Sequence, residues 1–162
     1  MVSNLGNLGF GRSQNDKGKN DDCFTPPEVF DKLAIRFDLD VAAPIGGVSW
    51  VPADRYYTAD DDALTQEWNG RVWMNPPFSL VRKFAPKFQA HRNGIALVAT
   101  STGRWMHELW NDPLAAWARL DKPRFIRPDG SQWATHLPTV IWLVAYGDEC
   151  QAALERIGTV KR

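Results

Sequence analysis

Cysteine is scarce: Cys23 and Cys150 are the only two in 162 residues. Two thiols so far apart cannot build a disulfide scaffold or a four-thiolate zinc site, so two reduced thiols and no metal site are expected. No run approaches the roughly 18 consecutive apolar residues that a membrane helix needs. The opening MVSNLGNLGFGRSQNDKGKNDD is polar and lacks the apolar core and cleavage pattern of a secretory signal. A soluble, cytoplasmic protein with no membrane partner is the expectation. An excess of either charge is also missing, since 19 Lys and Arg offset 19 Asp and Glu. That argues against a chain that coats nucleic acid non-specifically, which needs surplus cations, but it leaves a local basic face open. No Gly-x-Gly-x-x-Gly follows the first expected strand, which counts against a nicotinamide dehydrogenase.

What is present describes an ordinary folded domain. Hydrophobic residues make up 44% and charged residues 23%, the balance of a globular chain of one-domain length. Eight tryptophans imply a compact core or an aromatic-lined cleft. Residues 1–22 are rich in Gly, Asn and Ser and carry no period, so they read as a flexible arm. Arg12, Lys17 and Lys19 in that arm are available to a partner. Residues 23–162 read as a single domain.

Phe24-Thr25-Pro26-Pro27-Glu28 predicts a helix start, with Thr25 as N-cap, running to Ile35 or Arg36. Phe37 to Ala43 alternates as a strand, and Val48 to Val51 is a weaker candidate. The acidic stretch 52–69 offers a short helix over Ala63 to Trp68. Arg71 to Met74 is a strand. Residues 79–91 place Val81, Phe84 and Phe88 on one helical face, with Pro86 expected to kink or break it. Gly94 to Thr100 reads as a fully buried strand. A helix is expected over 103–118, a short strand at Arg124 to Ile126 and a turn at Pro128 to Ser131. The most hydrophobic strand is Thr139 to Tyr146, and a closing helix falls near 149–157. Alternating strands and helices predict an α/β sheet, mostly parallel, with helices on both faces. Ligands in such sheets sit at the carboxyl ends of the strands. Those ends carry Asp40, Ala42 and Ala43, then Asn75-Pro76-Pro77-Phe78, then Thr100-Ser101-Thr102.

The double proline cannot continue a ladder and forces a rigid turn after the strand. That turn presents an amide, the Pro76 carbonyl and an aromatic ring in fixed positions. The three suit a planar substrate with an exocyclic amino group: the Asn75 oxygen and the Pro76 carbonyl each accept one N–H, and Phe78 stacks on the ring.

Asn75-Pro76-Pro77-Phe78 resembles the (Asn/Asp/Ser)-Pro-Pro-(Tyr/Phe) motif of amino-group methyltransferases that use S-adenosylmethionine. The motifs around it extend the resemblance. They are Phe24-Thr25-Pro26-Pro27-Glu28, Phe37-Asp38-Leu39-Asp40-Val41-Ala42-Ala43, Tyr56-Tyr57-Thr58, Asp62-Ala63-Leu64, Trp68 and Arg71 to Ser79. In this order the set resembles the small phage-type DNA N6-adenine methyltransferases, from about residue 22 to 146. The chain departs from that pattern in four places. Val41 stands where Pro is frequent, Asp62-Ala63-Leu64 replaces Asp-Gly-Leu, Phe78 replaces the common Tyr, and Gly46-Gly47 stands without a full Gly-x-Gly.

The resemblance implies a Rossmann-like methyltransferase fold, S-adenosylmethionine as cofactor and DNA as partner. It implies catalytic roles for Asn75, Pro76, Pro77 and Phe78. It implies cofactor contacts from Thr25, Pro26, Asp40, Ala42 and either Asp61 or Asp62, with Asp54 a weaker candidate for the ribose. The expected reaction is direct methyl transfer to a flipped adenine amine, without a covalent enzyme intermediate. Phosphate contacts are sought among Arg82, Lys83, Lys87, His91 and Arg92, and later among Arg104, Arg119, Lys122, Arg124 and Arg127. Lys83 and Lys87 share a helical face. No separate recognition domain fits in this length, so loops 101–112 and 127–138 or the arm would read sequence, in a monomer or weak homodimer. Two other readings stay open: an amino methyltransferase acting on RNA or a protein glutamine, and an inactive nucleic-acid-binding relative.

Overall fold

The computed structural model describes residues 21–162. The arm assigned to 1–22 lies outside the described residues, apart from Asp21 and Asp22. These two belong to the folded body, since the Asp21 carboxylate accepts the Ser79 backbone N–H at 3.0 Å and also the Ser79 hydroxyl.

Seven strands form one sheet, and four α-helices are described. In chain order the elements are α1 (Pro27–Leu33), β1 (Phe37–Asp40), β2 (Ala53–Tyr56), β3 (Val72–Met74), a 3-10 turn (Phe78–Leu80), α2 (Val81–His91), β4 (Gly94–Ala99), α3 (Arg104–Trp110), β5 (Ala116–Leu120), β6 (Ile141–Tyr146), α4 (Asp148–Leu154) and β7 (Val160–Lys161). The sheet order is β2-β1-β3-β4-β6-β5-β7. The pairings β2–β1, β1–β3 and β3–β4 are parallel, while β4–β6, β6–β5 and β5–β7 are antiparallel. The fold is therefore mixed α/β, and the sheet is half antiparallel rather than mostly parallel.

Side chains alternate across the sheet, so each strand feeds two cores. Ile95 and Leu97 of β4 pack with Val29, Phe30 and Leu33 of α1 and with Ala153 and Leu154 of α4. Ala96 and Val98 pack on the other side with Val81, Phe84 and Phe88 of α2 and with Met106 and Leu109 of α3. Helices thus cover both faces. Gly94 opens β4 because a Cβ there would lie 2.3 Å from the Val72 carbonyl oxygen.

Several expectations change. Thr25 does not cap α1: Pro26 occupies the cap position and Pro27 the first turn, where a missing N–H costs nothing. The segment 48–51 is a turn, and the strand comes later, at 53–56. That strand is polar and exposed because it lies at the sheet edge. Residues 59–65 form successive turns, not a helix. Pro86 sits inside α2 without ending it. The helix expected over 103–118 stops at Trp110, and Ala116 to Leu120 is a buried strand. Around Ile126 only isolated bridges form, to Phe24 and Gln132. No described helix is long and apolar enough to cross a membrane.

Candidate active site

The chain runs from β1 outward to β2 and then back past β1 to β3, so the sheet has a switch point between β1 and β3. Loops leaving neighbouring strands in opposite directions open a crevice at their carboxyl ends. A cavity of about 550 Å³ occupies that position, a size suited to a small organic ligand. Its wall includes Thr25, Asp40, Ala42, Asp62, Asn75 and Pro77.

Asn75 leaves β3 into the double-proline turn. Its Nδ2 donates to the Cys23 carbonyl at 2.9 Å and to the Thr25 hydroxyl at 3.1 Å. A carbonyl only accepts, so these contacts fix which end of the carboxamide is nitrogen. Both N–H groups are engaged, and no donor among the described residues reaches the carboxamide oxygen. Thr25 is itself held, because the Trp50 indole N–H donates to its carbonyl at 2.8 Å. The segment 21–25 therefore straps the double-proline turn from Ser79 to Asn75. Cys23 in this strap has its thiol pushed up to about 12, by burial first and then by Asp21 and Asp22. It stays protonated and is no nucleophile at neutral pH.

Asp40 ends β1 and is 5% exposed. Its carboxylate accepts the Ala42 N–H at 3.1 Å, and it joins no ion pair among the described residues. Burial pushes its pKa up to about 7, against the smaller lowering effect of the Ala42 hydrogen bond. A buried carboxylate on a cavity wall without a cation beside it is suited to a ligand that brings one.

The two neighbouring aspartates separate. Asp61 accepts the Thr58 N–H at 2.8 Å and the Thr58 hydroxyl at 3.0 Å. Its carboxylate closes that turn and is absent from the cavity wall. Asp62, with a positive φ of 51°, is on the wall.

These observations meet a finding from comparison. Residues 12–108, more than half of the chain, match the DNA N-6-adenine-methyltransferase (Dam) family. The chain belongs to that family. No curated protein matches it.

In this Dam-family chain Phe78 does not line the β1–β3 cavity. It opens the 3-10 turn, packs edge-on against Phe125 at 6.2 Å, and borders a second cleft with Arg82, Thr100, Ser101 and Trp105. Pro76 is buried behind the wall, and no donor among the described residues bonds its carbonyl. Pro26 is buried beside Thr25 at the start of α1. Asp54 lies away from the cavity, paired with Arg36 at 2.7 Å.

Three of the expected phosphate contacts are committed elsewhere. Lys87 donates from Nζ to the carbonyls of Ala63 and Leu64 at 3.0 Å each and to that of Gln66. His91 Nε2 meets the Gly70 carbonyl at 2.7 Å, and Arg92 is bonded to Asp112 at 2.6 Å. Arg82 and Lys83 remain exposed. The strap residue Cys23 and the wall residues Ile45, Val48, Leu80 and Phe84 had no sequence signal: each reads as plain packing until the fold places it at the cavity.

Proposed function

We propose that the protein is an S-adenosylmethionine-dependent enzyme that methylates the N6 amino group of adenine in DNA. The observation that carries this reading is the anchored Asn75 carboxamide. Its nitrogen is taken by Cys23 and Thr25, so its oxygen is preset as an acceptor before any substrate arrives. A preset acceptor spends no reorganisation energy during the reaction.

The β1–β3 cavity fits the cofactor. Its wall combines the buried Asp40 carboxylate with apolar Val41, Ala43, Val48 and Leu64. Asp40 would hold the ammonium, Thr25 and Ala42 the methionine portion, and Asp62 the ribose or adenine. When bound, S-adenosylmethionine supplies a sulfonium methyl group that an uncharged amine can attack.

The chain's own part is alignment and charge stabilisation. The adenine amine is nearly non-basic, because its lone pair is delocalised into the ring. Acceptance of its two N–H bonds by the Asn75 oxygen and the Pro76 carbonyl draws the nitrogen toward tetrahedral geometry. The same two oxygens would stabilise the positive charge that develops on nitrogen as the carbon–sulfur bond breaks and a neutral thioether departs, and the methylated nitrogen then gives up one proton to solvent. The target base is extruded from the duplex to reach them, with Phe78 as its stacking surface. The strand order around β1 and β3 supports a Rossmann-like methyltransferase sheet for this work.

The test is transfer of tritiated methyl groups to unmethylated DNA, followed by digestion to nucleosides. Label in N6-methyldeoxyadenosine that vanishes with Asn75→Ala is expected. Label in RNA or protein instead, with none in DNA, would overturn the choice of substrate. Absence of cofactor binding in calorimetry would overturn the reading altogether.

A further inference from the structure

We infer that the ribbon 124–133, in the loop between β5 and β6, is a DNA-contacting element that grips the phosphate backbone beside the catalytic turn through Arg124 and Arg127. The inference rests on the function proposed above. It concerns a segment that lies beyond the part of the chain matched to the family, which ends at residue 108.

Residues 121–140 form a long connection without a helix or a named strand. Connections of that length in a compact domain are uncommon and tend to be functional. This one is nevertheless built as a narrow ribbon. The Trp133 N–H donates to the Phe125 carbonyl at 2.8 Å, the Arg127 N–H to the Ser131 carbonyl at 2.8 Å, and the Gly130 N–H to the Arg127 carbonyl at 2.9 Å. Arg127 lies over the Trp133 ring at 4.7 Å. The tip, Pro128 to Gly130, is exposed. Its acid, Asp129, is occupied by the Ser131 N–H at 2.8 Å and hydroxyl at 2.6 Å.

The base of the ribbon is fixed to the site. Phe24 and Ile126 exchange backbone hydrogen bonds at 2.9 and 3.0 Å. Phe24 is flanked by Cys23 and Thr25, the two residues that hold the Asn75 amide. Phe125 packs on Phe78. The ribbon thus stands against the strap and the catalytic turn together.

Of the five ion pairs among the described residues, four include a residue that enters or leaves a strand at the end away from the site: Arg36, Arg71, Arg92 and Arg162. At the strand ends bearing the site, Arg104 is paired with Glu108. Arg82, Lys83, Lys122, Arg124 and Arg127 join no ion pair among the described residues. A chain with no net charge still carries a local surface for a polyanion where cations such as these stand without a carboxylate partner.

The experiment measures binding of a fluorescein-labelled 20-base-pair DNA duplex by anisotropy at several salt concentrations. It compares the full chain with Arg124→Gln/Arg127→Gln, with Arg124→Lys/Arg127→Lys and with Arg55→Gln on the exposed edge strand. Expected is an affinity loss of about tenfold or more in the Gln pair, with the salt slope reduced by roughly 2. The Lys pair should recover most of the loss, Arg55→Gln should match the parent, and cofactor affinity by calorimetry should be unchanged in all. Parent-like affinity and slope in the Gln pair would overturn the inference while DNA methylation by the parent chain left the proposed function standing. Tighter binding of RNA than DNA, or no methylation of DNA by the parent chain, would overturn both.

Discussion

The Thr25 hydroxyl accepts a hydrogen bond from the Asn75 amide nitrogen at 3.1 Å across 50 positions of sequence. Thr25 is 2% exposed, so water cannot replace it. Thr25→Val keeps the shape and removes the acceptor, which leaves one amide N–H unsatisfied at about 1–3 kcal/mol. The amide then turns more freely, and its oxygen is less often in place. Expected is a fall in kcat of roughly 10-fold, with Thr25→Ser restoring most of it and Asn75→Ala losing about 100-fold or more. Initial rates of tritium transfer at saturating cofactor decide the matter. An unchanged kcat in Thr25→Val would show that the strap does not preset the amide.

The proposed role of Asp40 makes cofactor binding depend on pH. With its pKa at about 7 in the ligand-free protein, the carboxyl is neutral in mild acid and must lose a proton to hold an ammonium. Association should therefore strengthen about tenfold per unit from pH 5.5 to near 7 and then level off. Asp40→Asn should bind weakly with no such slope. The stability consequence has the opposite sense. The unfolded chain ionises Asp40 at its ordinary value while the folded chain keeps it protonated. Ligand-free stability therefore falls as pH rises from about 4 to 7 and stays low above. The shift corresponds to at most about 4 kcal/mol. Asp40→Asn should raise the ligand-free Tm at pH 8 and leave it nearly unchanged at pH 4, as read by calorimetry across that range.

Lys87 acts on the cavity from behind. Its ammonium gathers the carbonyls of Ala63, Leu64 and Gln66 and lies 5.2 Å from the Trp68 ring centroid. Those carbonyls end the turns that carry Asp62, Ala63 and Leu64 onto the wall. Lys87→Met keeps the stem and removes three charge-assisted bonds, each of the kind worth about 1.5–3 kcal/mol when fully buried and less at this half-buried site. Cofactor affinity should fall by about 5- to 20-fold and Tm by several degrees, while DNA affinity stays within twofold. A lysine serving as a phosphate contact would give the reverse pattern, and anisotropy beside calorimetry separates the two.

The sequence made the site legible where a rare residue combination met a strand end. Asn75 and Pro77 stand out because proline ends a ladder, Asp40 because it sits at a strand end and matches the family pattern, and all three line one cavity. What stayed hidden depends on partners remote in sequence. Thr25 looked like a helix cap because local chemistry permits it, yet its hydroxyl is used by a residue on β3. Lys87 and Lys83 share a helical face by spacing, but only the fold shows carbonyls waiting for one of them. Strand β5 read as the end of a helix carrying Trp105, Leu109, Trp110 and Trp117, and pairing between β6 and β7 makes it a strand.

Asp112 supplies a last prediction, far from the site. It is buried before β5 and accepts hydrogen bonds from Gln89 at 2.8 Å, Arg92 at 2.6 Å, Tyr146 at 2.7 Å and the Leu114 N–H at 3.0 Å. Burial alone would raise its pKa. The bonds from Arg92, Gln89, Leu114 and Tyr146 outweigh that and hold it well below the usual carboxylate range. A depressed folded value means that its stabilisation is complete above about pH 4 and is lost as pH falls below that. Arg92 is 43% exposed, which screens the pair and discounts the contribution. Asp112→Ala should still cost about 2–3 kcal/mol at pH 7, because four donors lose a buried acceptor at once. In a chain of this size that lowers Tm by roughly 4–12 °C. Urea unfolding at pH 7 and pH 3 should show the gap between variant and parent narrowing in acid. Methyl transfer at 20 °C should not change, since none of Gln89, Arg92, Asp112, Leu114 and Tyr146 lines the cavity; a large loss of rate there would mean that the β4–β6 junction is coupled to the double-proline turn.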